Sequence, residues 1–233
     1  MAESNAGSLR EDRALILAGG DLDPGGDEGQ LLQGPWRHVI CADGGARHAR
    51  ALGLRPTLLI GDMDSIDPGT RLVYRDVPTL DLPEAQDKTD SQLAVEWALE
   101  HGAGFIVIAG GLGSRFDHSL ANAHLLAYLD RRGATGVVTD GRQAVYLLAR
   151  ELTLPGPPGR LVSVIPLGDV RGLRLKGLRW ELDGIDLVVG ETRTISNEFT
   201  GKAAHFALAA GMALVVTGPL KREEISSGRV QGS

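Results

Sequence analysis

Short apolar runs alternate with helical patterns over roughly the first 145 residues of the chain. The runs are bounded by glycine, aspartate or proline and predict buried strands, whereas apolar residues that recur every three or four positions predict helices. The predicted strands cover 14–18, 38–42, 57–60, 105–109 and 136–139, and the predicted helices cover 46–52, 89–101 and 117–131. Regular alternation of strand and helix is typical of a mainly parallel sheet with helices on both faces.

The segment 89–101 has the clearest helical signal. Thr89 and Gln92 have the spacing of a capping box, in which the side chains satisfy backbone N–H groups at the start of a helix. Leu93 and Trp97 fall on one face of this predicted helix, and Gly102 is a suitable stop.

After residue 145 the pattern changes to short segments with two-residue alternation and no helical period. The predicted strands there cover 161–165, 173–175, 178–182, 187–189, 205–209 and 213–217. The alternation slips at Lys176-Gly177, as a bulge or a tight turn between strands requires. An antiparallel sandwich is the best interpretation of this half.

These patterns predict two domains. An α/β domain with a mainly parallel, Rossmann-like sheet is expected over residues 13–145, and an all-β sandwich domain over 146–220. Residues 1–12 and 221–233 are small, polar or charged and are expected to be flexible tails.

Composition narrows the range of partners and compartments. The net charge is −6, which argues against bulk nucleic-acid binding because that usually requires a basic surface. No apolar run approaches the ~18 residues of a membrane span, and the N-terminus lacks the apolar core of a signal peptide. Cys41 is the only cysteine, so no intrachain disulfide can form. We therefore expect a cytoplasmic protein that binds neither nucleic acid nor a membrane.

Two pairs of aspartates carry the main chemical signal. Asp62 and Asp64 directly follow the third predicted strand, and Asp87 and Asp90 stand at the start of the clearest predicted helix. Carboxylates crowded into one site repel one another, and Mg²⁺ is usually held by one or two carboxylates together with substrate phosphates. Taken singly, the first pair is explained by a turn and the second by helix capping. Together at one edge of the sheet, they favour metal-dependent phosphate chemistry.

Glycines gather at the same edge. Gly19-Gly20, Asp43-Gly44-Gly45 and the segment 110–115 each follow a predicted strand. Ligands of open parallel sheets bind beyond the carboxyl ends of the strands. The segment 110–115 is neither a P-loop nor a dinucleotide fingerprint, and a tight connection explains it equally well. Arg115 favours phosphate binding, since a guanidinium grips phosphate oxygens two at a time.

Ser196 and Asn197 are the candidate ligand-binding residues of the all-β half. In isolation they are an ordinary loop. An Asn amide both donates to and accepts from the edge of a heterocycle, so Asn197 becomes a candidate if a ring binds there.

Five segments together resemble the thiamine pyrophosphokinase family, whose members are also called thiamine diphosphokinases. They are residues 42–46 (ADGGA), 61–66 (GDMDSI), 86–90 (QDKTD), 110–118 (GGLGSRFDH) and 196–199 (SNEF). Each is weak alone, but the five occur in the family's order and spacing. The resemblance implies an enzyme that transfers the diphosphoryl group of ATP to thiamine, giving thiamine diphosphate and AMP, with Mg²⁺ as cofactor. It also implies a homodimer whose active sites lie between the subunits.

The resemblance implies roles for individual residues. Metal-binding carboxylates fall at Asp62, Asp64 and Asp90, and these three with Asp43 form the implied catalytic set. The implied nucleotide contacts are Gln86, Asp87, Gly111, Arg115 and Asp117.

The implied thiamine contacts are Ser196 and Asn197, reached from the sandwich of the partner subunit. Some family members place a tryptophan near this loop. No tryptophan closely follows Asn197 here, which leaves Phe199 as the candidate to stack on the thiamine ring.

Two other functions fit parts of the pattern. A phosphatase of the haloacid dehalogenase type also uses Asp-x-Asp after an apolar strand, which Asp62 and Asp64 would supply. That motif usually lies near the start of a chain, whereas here a strand–helix–strand run precedes it. A non-enzymatic module that binds a nucleotide or a vitamin is the second alternative, although binding alone rarely needs a crowded acidic edge.

Overall fold

The computed structural model describes residues 12–61, 66–80, 87–113 and 115–220. The first half contains strands β1 (Arg13–Leu17), β2 (His38–Ala42), β3 (Leu58–Ile60), β4 (Thr79–Leu80), β5 (Phe105–Ala109) and β6 (Thr135–Thr139). Its helices are α1 (Ala46–Ala51), α2 (Pro68–Val73), α3 (Asp90–Glu100) and α4 (Phe116–Asp130), with short 3-10 helices at Gly29–Leu32 and Asp43–Gly45.

The second half consists of strands. They are β7 (Ala144–Leu148), β8 (Glu151–Pro155), β9 (Arg160–Pro166), β10 (Val170–Lys176), β11 (Leu182–Leu187), β12 (Asn197–Glu198), β13 (Ala203–Ala207) and β14 (Ala213–Leu220). In the described part of the chain, no helix is both long enough and apolar enough to cross a membrane.

The strands of the first half form a parallel sheet in the order β6-β5-β1-β2-β3-β4. In β1, β2 and β5 every residue after the first is buried. Separate apolar clusters cover the two faces of this sheet. Burial on both faces explains why these strands appear in the sequence as continuous apolar runs. The predicted parallel sheet is confirmed.

The start of α3 confirms half of the predicted capping box. The Thr89 hydroxyl accepts a hydrogen bond from the backbone N–H of Gln92 at 3.2 Å. The Gln92 side chain does not return to the helix start, because it donates to Glu96 Oε1 at 3.1 Å. Ala94, Val95 and Ala98 of α3 are buried against the sheet.

The parallel sheet continues into the second half of the chain. Strand β7 pairs antiparallel with β6, and β14, β9 and β12 follow outward. The β6–β7 turn is closed by Asp140 Oδ1, which accepts from the backbone N–H groups of Arg142 at 2.8 Å and Gln143 at 2.7 Å. These ten of the described strands therefore make one mixed sheet, and the predicted change near residue 145 falls inside β7.

The remaining strands form an antiparallel sheet in the order β11-β10-β13-β8. Leu148, Val164 and Val215 from the large sheet and Leu173 and Phe206 from the small sheet share one buried cluster. The all-β half is thus a sandwich as predicted, but one of its layers is the extension of the parallel sheet.

Two strand predictions in this half are wrong. No strand covers 178–182, and β11 occupies Leu182–Leu187 in place of the separate strand expected at 187–189. The phase slip at Lys176-Gly177 is a tight turn, in which Gly177 has φ 77°. A Cβ there would lie 2.6 Å from the carbonyl oxygen of Ala203, so this turn requires glycine. The sequence patterns did not predict α2, β4, β7, β8 or β12.

Candidate active site

A cleft of about 630 Å³ lies beyond the carboxyl ends of the parallel strands. It opens between the segment after β1 and the segment after β5, which are neighbouring strands in the sheet. In the sheet, β2 and β3 lie on one side of β1, whereas the later strands β5 and β6 lie on its other side. The direction in which successive strands are added therefore reverses at β1. Open sheets bind ligands at such a reversal.

Two glycine segments make the floor of the cleft. The backbone N–H of Gly20 donates to the carbonyl oxygen of Gly110 at 2.9 Å. A Cβ on Gly20 would overlap that oxygen, and Gly110 itself has φ 66°. The close contact of the two segments therefore depends on glycine, and it leaves an open backbone surface for an anion.

The segment 110–113 is held in place by α4. Asn122 is buried, and its Nδ2 donates to the carbonyl oxygen of Gly111 at 2.8 Å. The Ser119 hydroxyl accepts from the backbone N–H of Gly113 at 3.0 Å. Gly111, a predicted nucleotide contact, thus lies at the cleft beside the N-terminus of a helix, where negative charge is stabilised.

Arg115 and Asp117 lie together at the start of α4. Arg115 Nη2 donates to Asp117 Oδ2 at 2.6 Å and its Nε donates to Oδ1 at 3.2 Å. The hydrogen bond from Arg115 lowers the pKa of Asp117 to about 2. Arg115 lines the cleft, whereas Asp117 is not among the described residues that line it, and both side chains are exposed.

Asp43 and Asp90 both line the cleft, and both lie close to Gly61. Asp43 follows β2 with φ 48°, and its Oδ1 is buried without a hydrogen-bond partner among the described residues. A Cβ on Gly61 would lie 3.4 Å from the Asp43 backbone and 3.4 Å from Asp90 Oδ2. The two carboxylate residues therefore flank the residue that immediately precedes Asp62.

Three of the predicted site residues, Asp62, Asp64 and Gln86, lie outside the described residues. Asp87 is exposed just before α3 and is not among the described residues that line the cleft, whereas its neighbour Lys88 is. Within the described ranges no three His, Cys, Asp or Glu side chains come together as a metal site. The set Asp62, Asp64 and Asp90 stays a prediction.

A hydrogen-bonded carboxylate holds Lys88 at the edge of the cleft. Lys88 Nζ lies 2.7 Å from Glu96 Oε2, and Glu96 also accepts from Tyr128 Oη at 2.5 Å. Burial raises the pKa of Glu96, but hydrogen bonds from Lys88, Tyr128 and Gln92 outweigh it and lower the pKa to about 2. Glu96 is thus an ionised partner that neutralises Lys88.

Two further residues at the site, Arg47 and His48 of α1, were not predicted from the sequence. Arg47 Nη2 donates to the carbonyl oxygens of Gly19 at 2.5 Å and Gly20 at 3.0 Å. His48 Nε2, as the protonated nitrogen, donates to the carbonyl oxygen of Gly20 at 2.8 Å, and burial lowers the pKa of the ring. Their position directly after Asp43-Gly44-Gly45-Ala46 was the available signal.

The second predicted ligand site lies at the edge of the sandwich. Ser196 has φ 61°, and its backbone N–H donates to Ser163 Oγ at 3.0 Å. Asn197 is only 5% exposed, and its side-chain amide forms two hydrogen bonds with the backbone of Trp180. Asn197 Nδ2 donates to the Trp180 carbonyl at 2.8 Å, and Oδ1 accepts from the Trp180 N–H at 3.1 Å.

Trp180 is the exposed aromatic residue beside this loop. Its side chain is 53% exposed, and the Arg179 guanidinium carbon lies 5.0 Å from the centroid of its ring. Phe199 is 2% exposed and packs against Gly156, so the expectation that it stacks on a ligand is wrong. Because Trp180 precedes Asn197 by 17 residues, inspection of the neighbouring sequence could not associate them.

Residues that line the cleft come from the first half of the chain, whereas Ser196, Asn197 and Trp180 lie in the second half. Within the described part of a single chain, the sandwich contributes no residue to the wall of the cleft. The two predicted ligand sites are therefore separate in one copy of the chain.

Comparison with known proteins accounts for both halves. Residues 32–138 match the family model described as thiamin pyrophosphokinase, catalytic domain. Residues 150–213 match the model described as thiamin pyrophosphokinase, vitamin B1 binding domain. Thiamine pyrophosphokinase of Bacillus subtilis is 30% identical over 177 residues, which cover 70% of this chain and 79% of that protein. The chain belongs to the thiamine pyrophosphokinase family.

A plant relative and two solved structures are also similar to this chain. Thiamine pyrophosphokinase 1 of Oryza sativa subsp. japonica is 27% identical over 199 residues, covering 72% of this chain and 74% of that protein. The crystal structure of the Bacillus subtilis enzyme matches with a TM-score of 0.80 and 25% identity, over 89% of this chain and 99% of that chain. Thiamin pyrophosphokinase of Candida albicans shares the fold, with a TM-score of 0.72 at 14% identity over 90% and 89% of the two chains.

Membership of the thiamine pyrophosphokinase family identifies a kinase-class transferase. Neither alternative function, the haloacid-dehalogenase-like phosphatase or the non-enzymatic binding module, is supported. The catalytic-domain match includes Asp43, Asp90 and Arg115 of the cleft, and the vitamin-binding match includes Asn197 and Trp180.

Proposed function

We propose that this protein transfers the diphosphoryl group of ATP to the primary hydroxyl of thiamine, giving thiamine diphosphate and AMP. The observation that carries the proposal is the cleft itself. It combines two glycine segments with Asp43 and Asp90, which flank the entry to the Asp62–Asp64 segment. Backbone N–H groups suit a polyphosphate, and carboxylates suit the cation that accompanies it.

We assign the nucleotide to the cleft. Its phosphates would lie over Gly19-Gly20 and the segment 110–113, next to the N-terminus of α4. The assigned nucleotide contacts are Gln86, Asp87, Gly111, Arg115 and Asp117. Arg115 offers a guanidinium whose orientation is already set by its two hydrogen bonds to Asp117.

We assign Mg²⁺ to Asp62, Asp64 and Asp90, with Asp43 beside them. The donor chemistry fits, because Mg²⁺ prefers carboxylate and phosphate oxygens. The buried Asp43 Oδ1, which has no hydrogen-bond partner among the described residues, also fits a nearby cation. A Mg²⁺ ion held by these carboxylates would supply positive charge that offsets the negative charge of the phosphates.

In the proposed reaction the thiamine hydroxyl oxygen forms a bond to the β-phosphorus of ATP. The bond from that phosphorus to the oxygen shared with the α-phosphorus breaks, and AMP leaves with the electron pair. The hydroxyl proton passes to a carboxylate of the cleft, for which Asp43 and Asp90 are the candidates. The protein contributes mainly by positioning the two substrates and by stabilising charge.

We propose that residues 146–220 bind thiamine and form the interface of a homodimer, while residues 13–145 form a Rossmann-like nucleotide- and metal-binding domain. Support comes from the separation of the cleft from Ser196 and Asn197 within one chain, since a partner subunit would complete the site. Trp180 offers an exposed ring for thiamine, and Asn197 holds its backbone in place. A cytoplasmic location stays a prediction from the sequence.

The decisive experiment is mass spectrometry of the products after incubation with thiamine, ATP and Mg²⁺. We expect thiamine diphosphate and AMP in equal amounts, and no product when EDTA replaces Mg²⁺. Release of inorganic phosphate without thiamine diphosphate would contradict the proposal. Size-exclusion chromatography with light scattering tests the homodimer separately.

A further inference from the structure

Three cationic side chains, counting Lys and Arg among the described residues, line the cleft: Arg47, Lys88 and Arg115. Two of them already have a carboxylate partner, because Lys88 pairs with Glu96 at 2.7 Å and Arg115 with Asp117 at 2.6 Å. Arg47 forms no ion pair with any residue that the structure describes. Of the three positive charges, only that of Arg47 is not paired with a carboxylate of a described residue.

The guanidinium of Arg47 is held in a fixed position. Its Nη2 donates to the carbonyl oxygens of Gly19 and Gly20, which belong to the floor of the cleft. A guanidinium carries five N–H donors, so this nitrogen uses only two of them. Among the described residues, Nε and Nη1 have no acceptor, and the side chain is exposed. The remaining donors are thus available to a ligand.

The hydrogen bonds from Arg47 to Gly19 and Gly20 do not by themselves explain why position 47 carries a charged residue. His48 already donates to the Gly20 carbonyl at 2.8 Å, and the Gly20 N–H is bonded to Gly110. A shorter neutral side chain at position 47 would leave both of these bonds in place. An arginine adds a positive charge and a planar set of donors, which match phosphate oxygens.

We propose that Arg47 is a phosphate-binding residue that contacts the polyphosphate of ATP in the cleft. The inference rests on the proposed function for the identity of the nucleotide. It assigns to Arg47 a charge-assisted contact that is additional to that of Arg115. Because Arg47 also holds Gly19 and Gly20, the same guanidinium joins the bound phosphates to the floor of the cleft.

Arg50 provides a matched control on the same helix. It lies three residues after Arg47, but Arg50 Nη1 donates to Thr70 Oγ1 at 3.2 Å and lies 3.7 Å from Asp67. Arg50 does not line the cleft. The substitution Arg50→Gln removes the same charge from α1 as Arg47→Gln does, so it controls for net charge and for helix stability.

The test is isothermal titration calorimetry of wild-type protein and variants with a non-hydrolysable ATP analogue in Mg²⁺, and with adenosine, which lacks phosphates. Arg47→Gln is expected to weaken binding of the analogue about tenfold or more, since a charge-assisted hydrogen bond is lost. Adenosine affinity should change less than about twofold on the same scale. Arg47→Lys should recover part of the loss, and Arg50→Gln should bind like wild type.

Steady-state kinetics add a second measurement. The KM for ATP of Arg47→Gln should rise, while the KM for thiamine should change little. Equal weakening of the analogue and of adenosine, or unchanged binding of the analogue, would overturn the assignment, as would the same loss in Arg50→Gln. If wild-type protein binds the analogue but makes no thiamine diphosphate, the proposed function fails, and the calorimetry still decides the role of Arg47.

Discussion

At the scale of single residues, the candidate site depends on side chains that hold backbone groups. Asn122 binds the Gly111 carbonyl, Asn197 binds both backbone groups of Trp180, and Arg47 binds two glycine carbonyls. Such contacts set the position of a loop more firmly than contacts between two mobile side chains, because each fixes a backbone group. The roles that we propose for individual residues are therefore testable one at a time.

The first prediction concerns the proposed metal site. Asp62→Asn should lower kcat by about 100-fold or more in Mg²⁺, because an amide replaces a charged ligand of the cation. The melting temperature should stay close to that of wild type. Asp76→Asn is the control, since Asp76 is an exposed aspartate paired with Arg55. Near-normal turnover of Asp62→Asn would remove this residue from the metal site.

The second prediction concerns the thiamine site. Trp180→Ala should raise the KM for thiamine about tenfold, since stacking on an exposed aromatic ring is lost, and it should leave the KM for ATP nearly unchanged. Trp180→Phe should retain most of the affinity, and Val188→Ala, at another exposed apolar residue of this half, should behave like wild type. An equal rise in both KM values after Trp180→Ala would place Trp180 outside the thiamine pocket.

At the scale of secondary-structure elements, local sequence signals explain the helices that border the cleft. The N-terminus of α3 places Asp90 at the cleft, and its cap is the Thr89 hydroxyl. Helix α4 begins at Phe116 directly after Arg115, so its first turn carries Asp117 and its later residue Asn122 reaches back to the glycine segment. The ends of these helices, rather than their centres, therefore bring the predicted residues to the site.

The third prediction tests the cap of α3. Thr89→Ala should lower the free energy of unfolding by about 1 kcal/mol, because the backbone N–H of Gln92 loses its acceptor. Urea denaturation followed by circular dichroism measures the change. Thr89→Ser keeps a hydroxyl and should retain most of the stability. If serine and alanine destabilise the protein equally, the hydroxyl is not the stabilising group.

At the scale of the whole molecule, a shared sheet and a buried ion pair join the two halves. Glu28 of the first half and Arg160 of the second lie 2.5 Å apart and are 2% and 5% exposed. Thr217 also donates a hydrogen bond to Glu28. Burial raises the pKa of Glu28, although the hydrogen bond from Thr217 and the charge of Arg160 act in the opposite direction. The halves are thus coupled by groups that are costly to leave unpaired.

The fourth prediction follows from that coupling. Arg160→Met should lower the free energy of unfolding by about 3 to 5 kcal/mol, because Glu28 stays buried without its partner. The double variant Glu28→Gln/Arg160→Met should be more stable than Arg160→Met alone. Arg174→Met, which breaks an exposed pair with Asp183, should change stability by less than about 1 kcal/mol. Destabilisation of the double variant equal to the sum of its single variants would show that the pair is not coupled.

The sequence alone determined the features that depend on neighbouring residues. The central strands β1, β2 and β5 are apolar throughout because they are buried on both faces, and the cap of α3 is a contact across three residues. The order of strand ends along the chain also located the glycine and aspartate segments that line the cleft. These signals come from local geometry and from runs of consecutive apolar residues, so they can be recognised without knowing how the elements pack.

Only the tertiary structure decided which distant residues meet. It continued the parallel sheet through β7, placed β11 at Leu182–Leu187 instead of the strands predicted at 178–182 and 187–189, and buried Phe199 while it left Trp180 exposed beside Asn197. It also brought Arg47 to the carbonyls of Gly19 and Gly20, which lie 28 and 27 residues earlier. The physical reason is that a contact between remote segments depends on how the sheets and helices pack, and no spacing within either segment encodes it.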